Sequence, residues 1–319
     1  MSDTRWLEAL TPLGADPPRA RVASDAPVLD LAGPWTFTYS PSRGVPAGAP
    51  ATIEVPGCWQ LQGYGAPVYL SAQFPFAMDP PHVPDDSAIG TYRREVDVPE
   101  GFERAVLRCD GIDATGEVFV DGDRLGWTKG SRLTHEFAVS LVPGRHVVEI
   151  RVSQYSATSY VEDQDMFWLS GIFRDIALVA RPVDGIDDVA VMTDYDPATG
   201  HGILDLDVTS TGPVRATLDG NPVALGRSDL GPVEPWTAET PRLYELVLRT
   251  PAETVTLRVG FRRVEISEGL LRVNGRPIRF RGLNRHDTDP DRGRTVTPLQ
   301  VREDLLAMKR ANINAVRTS

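Results

Sequence analysis

Two stretches of the chain hold the side chains best suited to chemistry. The first, SYVEDQDMFWLSGIFRDI from Ser159 to Ile176, sets Glu162, Asp163 and Asp165 beside Phe167, Trp168 and Phe173. Carboxylates accept hydroxyl protons and aromatic rings cover apolar sugar faces, so this mixture suits carbohydrate binding. An acidic turn ahead of a buried strand would leave the same pattern, and Asp165 would also suit a hard cation that takes oxygen ligands. The second stretch is GLNRHDTDPDRG, Gly282 to Gly293. If PIRFRG before it is the first strand of a β/α barrel, then Asn284, Arg285, His286 and Asp287 sit at its C-terminal end, where such barrels keep their active sites. Arg317 falls at the same end of the next strand. A capped loop with a solvated histidine is the plainer alternative. No two acids here stand out as a general acid and nucleophile pair, and no His/Cys cluster has zinc-ligand spacing.

The elements that must position these residues are mostly strands. From about Leu29 to Arg181, short alternating runs such as GPWTFTYS, TYRREVDVP and HVVEIRVSQ are broken by Gly, Pro and Asp. In GEVFVDGDRLGW the pair Asp121-Gly122 separates two such runs, a strong hairpin signal. This region is expected to be a β-sandwich. The proline-rich AQFPFAMDPPHVPDD cannot be a central strand, because proline has no amide donor for the ladder, and is expected as a long surface loop. A second β-rich region, about Val183 to Ser267, has the size and strand spacing of an immunoglobulin-like sandwich.

After a hairpin at Asn274-Gly275 the period changes. In TPLQVREDLLAMKRANI, Val301, Leu305 and Met308 recur four and three apart with Leu306 beside them, a helix face. Thr297 serves as N-cap and Pro298 as first helical residue, with Glu303 and Asp304 toward the positive end and Lys309 and Arg310 toward the negative end. NAVRTS then reads as a second parallel strand. One βαβ unit cannot bury both faces of its strands. The chain is therefore expected to be the front part of a longer protein, with Leu305, Leu306 and Met308 exposed.

Composition narrows the classes. With 41% hydrophobic and 24% charged residues, the 319-residue chain has a globular profile. A net charge of −11, with Lys129 and Lys309 as its sole lysines and its arginines scattered, argues against a nucleic-acid partner. Cys58 and Cys109 are too few for a disulfide scaffold and are expected to be reduced. The N-terminal residues lack a signal-peptide pattern and no run approaches the roughly 20 apolar residues of a membrane span, so a cytoplasmic protein without a membrane partner is expected.

The segments VPGCWQLQGYGAPVYL, PHVPDD, DGIDATGEVFVDGDRLGWTKGSRLTHEF, EDQDMFWLSGIFRDI, FRGLNRHDTDPDRGRTV and MKRANINAVRTS together resemble the β-galactosidases of glycoside hydrolase family 2. The likeness runs from about Leu31 to the last residue, and DQDM followed by SGIFRD points to that branch more than to the glucuronidases or mannosidases. It implies a mainly β chain: an N-terminal extension (1–28), a jelly-roll sugar-binding domain (29–182), an immunoglobulin-like sandwich (183–267) and the beginning of a (β/α)8 catalytic barrel (268–319). It implies a retaining glycosidase acting on a β-galactoside such as lactose, and a homo-oligomer when complete. Magnesium and sodium are the ions it implies, and both catalytic glutamates would lie beyond Ser319, leaving this chain inactive alone. By the same likeness Asp165 helps to form the galactose pocket and binds sodium, His286 contacts the sugar near the transition state, and Arg317 orients the nucleophile region. One departure stands out: where the family has Tyr-Thr-Asn, this chain has Tyr69-Leu70-Ser71, so Ser71 replaces an asparagine directed at the sugar. Ser71 keeps open a β-glucuronidase or β-mannosidase of the same family, and a non-catalytic carbohydrate-binding sandwich is a further alternative.

Overall fold

A computed structural model describes residues 4–20, 22–71 and 73–318. It is mainly β and divides into two compact units, one of residues 4–18, 27–180 and 286–301, the other of residues 19–26, 181–285 and 302–318.

The first unit is a jelly-roll sandwich of antiparallel sheets. One sheet runs Asp123–Trp127, Thr115–Val120, Gly144–Ser153, Ile89–Val98, Gly33–Ser40 and Ala51–Val55 in spatial order. The other runs Ala15–Asp16, His135–Val139, Ala105–Cys109, Ile176–Ala180 and Val28–Asp30. Alternation dictates which side chains face inward: Trp35 and Phe37 are buried while Thr36 between them is exposed. Their partners in the core include Trp59, Tyr92, Leu107, Phe137, Ile150 and Leu178. Each side chain of this size stabilises the fold by about 2 kcal/mol on leaving water. Cys58 and Cys109 are free thiols buried in this unit, and burial pushes the Cys109 thiol up to about 12.

The Asp121-Gly122 turn behaves as its sequence dictates. Both residues have positive φ, 52° and 88°, the backbone of the turn that matches the twist of a two-residue hairpin. Residues 73–86 contain no strand, but they do not simply line the surface. Val83 is buried, and the Phe76 ring lies 4.6 Å from that of Tyr155 and 6.1 Å from that of Trp168. Prolines deny this segment a ladder, yet its aromatic side chains still gain by leaving water.

The second unit is an immunoglobulin-like sandwich of Ile186–Tyr195, His201–Ser210 and Gly226–Pro232 against Ala23–Ser24, Thr254–Val259, Tyr244–Arg249, Arg215–Leu218 and Asn221–Val223. Its core holds Leu204, Leu206, Leu246, Leu248, Val255 and Phe261. The N-terminal stretch contributes one edge strand here, Ala23–Ser24, and Arg19 donates to Glu253 Oε1 at 2.7 Å and to the Ile186 carbonyl at 2.8 Å.

The barrel portion begins with the hairpin at Asn274-Gly275, again with positive φ at both residues. The first barrel strand is Gly282–Arg285, later than the PIRFRG expected from the sequence. It pairs in parallel with Ala315–Thr318, placing Gly282 opposite Ala315 and Asn284 opposite Arg317. Arg276–Pro277 pairs antiparallel with the preceding hairpin strand instead, and Arg281 N–H is satisfied by the Asn314 side chain at 2.8 Å. The intervening helix, Pro298–Arg310, starts as expected from Thr297. The Thr297 hydroxyl accepts from Gln300 N–H and the Gln300 side chain accepts from Thr297 N–H, a reciprocal cap closing T-P-L-Q. Glu303 and Asp304 fall past the first turn, and Asp304 pairs with Arg285 at 2.8 Å instead. Leu305 and Leu306 are exposed as expected, whereas Met308 is half-buried.

Candidate functional site

The three acids of EDQD have three different fates. The Glu162 carboxylate accepts from Ser131 N–H at 3.2 Å and from the Ser131 hydroxyl at 2.5 Å, so it anchors its own loop. Asp163 Oδ1 is buried without a protein partner among the described residues. It faces a cavity of about 20 Å³ shared with Asp113, Ser131, Arg132, Glu162 and Arg294. That volume is roughly what one water needs.

Asp165 alone of the three is exposed. Its Oδ1 accepts from the Tyr69 hydroxyl at 2.5 Å, and this bond raises the Tyr69 phenol above its ordinary range. Tyr69 reaches it because Val68–Tyr69 pairs antiparallel with Phe167–Trp168, Tyr69 opposite Phe167. Continued by two residues, that register runs Ser71 toward Asp165. The Tyr69 and Phe167 rings stand 5.3 Å apart, and the two residues are 51% and 54% exposed. Two open aromatic rings beside a carboxylate form a face that offers both an apolar surface and a hydrogen-bond acceptor.

Behind this face the loop is tied down by arginines. Arg294 donates to the Phe167 carbonyl at 2.8 Å and to the Leu169 carbonyl at 3.4 Å, and it is ion-paired with Asp113. Met166 Sδ accepts from Arg132 at 2.9 Å and from Arg294 at 3.2 Å. Burial pulls the Arg294 guanidinium down to about 10, which leaves it charged at neutral pH. Neither Arg294 nor Ser131 carries any local pattern that marks it. Each is recognisable only from contacts with residues far along the chain.

The second stretch is ordered around Asp289, whose carboxylate accepts from the N–H groups of Asp291 at 2.9 Å and Arg292 at 2.8 Å. These bonds hold its carboxyl below the usual carboxylate range. Asp-Pro-Asp-Arg-Gly has a proline and a terminal glycine where a tight turn uses them, and Gly293 has φ +64°. His286 is exposed at the start of this loop, and Asp287 lies 3.7 Å from the Arg174 guanidinium. In the other unit, Arg317 is exposed on the second barrel strand, opposite Asn284. The structure thus joins Asp165 to the Tyr69–Ser71 segment in one unit and Arg317 to Asn284 in the other. Among the described residues no three His, Cys, Asp or Glu side chains gather as a metal cluster, and no helix is long and apolar enough to cross a membrane.

A jelly-roll sandwich carrying an acid-and-aromatic face, an immunoglobulin-like sandwich and the opening of a parallel barrel together define a class of mainly β, multidomain protein. Two domain profiles match the chain: "Glycosyl hydrolases family 2, sugar binding domain" over residues 28–182 and "Glycosyl hydrolases family 2, TIM barrel domain" over residues 264–319. The chain belongs to glycosyl hydrolase family 2. It is 40% identical over 346 residues to a β-galactosidase of an Arthrobacter species, covering 95% of this chain and 34% of that protein. It is 35% identical over 305 residues to a β-galactosidase of Photobacterium profundum, covering 84% and 30%. The chain thus spans about a third of the length of these curated relatives. Among solved structures, a β-glucuronidase from an uncultured Clostridium sp. superposes with TM-score 0.77 at 20% identity, covering 95% of this chain and 57% of that one. A galacturonate-bound β-galacturonidase from Eisenbergiella tayi gives TM-score 0.73 at 20% identity, covering 94% and 55%. At that identity the likeness concerns the fold.

Proposed function

We propose that this chain is the sugar-recognising front part of a retaining β-galactosidase that removes terminal non-reducing β-D-galactose from substrates such as lactose. The observation that carries the reading is the exposed Tyr69–Asp165–Phe167 face. In this reading Asp165 accepts hydrogen bonds from sugar hydroxyls and the rings cover an apolar sugar face. Ser71 follows Tyr69 by two residues and is read as a sugar contact, and His286 and Arg317 contribute transition-state hydrogen bonds. Bond breaking falls to two carboxyl groups about 5 to 5.5 Å apart, one forming the glycosyl-enzyme and one acting as acid and then base. Neither is assigned to this chain, which alone is expected to hydrolyse nothing.

A uronic acid is the competing substrate, since Ser71 departs from the family pattern. The charge at the site argues for a neutral sugar: Asp165 would repel a second carboxylate, and the nearby Arg294 and Arg132 are engaged with Asp113 and Met166. For the ions, Asp165 would give sodium one carboxylate oxygen, and further oxygens would have to complete its shell. Magnesium does not fit a cluster of acids and histidines among the described residues, so no step is assigned to it here. A cytoplasmic homo-oligomer completes the proposal.

The test is turnover of p-nitrophenyl β-galactoside, β-glucuronide and β-mannoside by the whole enzyme, with the anomer of the first product read by proton NMR. Galactoside hydrolysed fastest, with retention, is the expected result. Faster glucuronide hydrolysis would overturn the substrate assignment.

A further inference from the structure

Gly293, Arg294 and Thr295 form a plug in the first unit. A side chain at Gly293 would meet Leu169 Cδ1 at 2.7 Å, Leu61 Cδ1 at 2.9 Å and Cys58 Sγ at 3.3 Å. Thr295 is buried, and its hydroxyl donates to the Phe173 carbonyl at 3.1 Å. Between them Arg294 spends its guanidinium on four targets: the Asp113 carboxylate, Met166 Sδ, and the carbonyls of Phe167 and Leu169. Three of these belong to the segment just after Asp165. The other end of that segment is held by Ser131 through Glu162. Asp165 therefore sits in a short span fastened on both sides, with its exposed carboxylate free to face outward.

We infer that Arg294 is a positioning residue: its fork fixes the Met166–Leu169 backbone and so sets where Asp165 and the Phe167 ring are presented. Asp113 supplies the counter-charge that lets a guanidinium be buried there. A planar fork suits this task and an ammonium does not, because several targets in different directions must be met at once. The inference rests on the reading of Asp165 as a sugar contact only for its consequence in binding. The structural half stands on the contacts themselves.

The experiment compares Arg294→Lys, Arg294→Met and Asp113→Asn. Amide exchange over 163–168 and the Met166 methyl resonance are read in this chain, which has 5 methionines. KM and kcat are read in the whole enzyme. Arg294→Lys keeps a charge for Asp113 and is expected to keep most of the melting temperature, yet to speed exchange over 163–168 and shift the Met166 methyl. Asp113→Asn keeps an acceptor for the guanidinium and is expected to lower the melting temperature while leaving both loop signals near the native ones. For Arg294→Lys and Arg294→Met, KM for a galactoside rises about tenfold with kcat little changed, the signature of lost uniform binding. Native loop signals in Arg294→Lys, or loop changes in Asp113→Asn as large as in Arg294→Met, would overturn the inference. If the loop signals move and KM does not, positioning by Arg294 stands and the sugar reading of Asp165 falls.

Discussion

The Tyr69 hydroxyl donates to Asp165 Oδ1 at 2.5 Å across a pair of strands only two residues long. The two residues are 96 apart in sequence, and the bond places a carboxylate at the rim of two open rings. Replacing Asp165 by Asn removes the charge without touching the core. A hydrogen bond to a charged group is worth about 1.5 to 3 kcal/mol, so KM for a galactoside in the whole enzyme should rise on the order of tenfold or more. An exposed substitution moves stability by about 0.5 kcal/mol at most. Kinetics and a melting curve check both halves, and an unchanged KM would remove Asp165 from the site.

Gly293→Ala should destabilise the first unit. The backbone there has φ +64°, and the added methyl meets Leu169 and Leu61. A non-glycine residue in that region costs about 1 to 3 kcal/mol, and the close contacts add to it. The denaturant midpoint of the variant should fall with little change in slope. A midpoint equal to that of the native chain would mean that this plug is not seated.

Arg19→Met should weaken the second sandwich. Arg19 and Glu253 are buried together, and Glu253 also accepts from the Ser24 hydroxyl at 2.5 Å and Ile186 N–H at 2.8 Å. Breaking a buried pair leaves an uncompensated charge and costs about 3 to 5 kcal/mol. Limited proteolysis within 186–259 should accelerate, and Arg19→Lys should recover part of the loss.

His146 makes stability depend on pH in a defined direction. Its Nδ1 bonds Asp121 at 2.6 Å and its Nε2 faces the Val142 carbonyl at 2.7 Å, and chiefly the Asp121 bond raises its pKa above the ordinary histidine value. The folded state holds the proton more tightly than the unfolded chain. The added stability is fully present below about pH 6.5 and is lost as pH rises through the raised folded value. The melting-temperature gap between the native chain and His146→Gln should therefore be wide at pH 5.5 and narrow at pH 9, conditions chosen on either side of roughly pH 6.5. A gap that does not vary with pH would refute the coupling.

The Pro298–Arg310 helix has no buried residue, so it depends largely on its cap, on local propensity and on the Asp304–Arg285 pair. An isolated helix shorter than about 12 to 15 residues is marginal in water. Its amides should exchange among the fastest of the regular elements in this chain, and slow exchange throughout 298–310 would contradict that.

Tight turns and the helix start are determined by the chain itself. Asp121-Gly122 and Asn274-Gly275 specify their turns because few residues tolerate positive φ, and Thr297-Pro298 starts a helix because both act on the backbone beside them. Alternation in GPWTFTYS marks a strand for the same short-range reason, and Trp35 and Phe37 lie on its buried face. What the tertiary structure alone decided is which polar groups are spent and which are available. Glu162, Asp163 and Asp165 are chemically alike and nearly adjacent, yet one is bound to Ser131, one has a buried oxygen and one is open. That difference comes from distant parts of the chain: Ser131 binds Glu162 and Tyr69 binds Asp165. Neither the type nor the spacing of a residue records whether another segment will cover it. The inward-turned Phe76 has the same cause, since packing across the fold outweighs what a local run prefers.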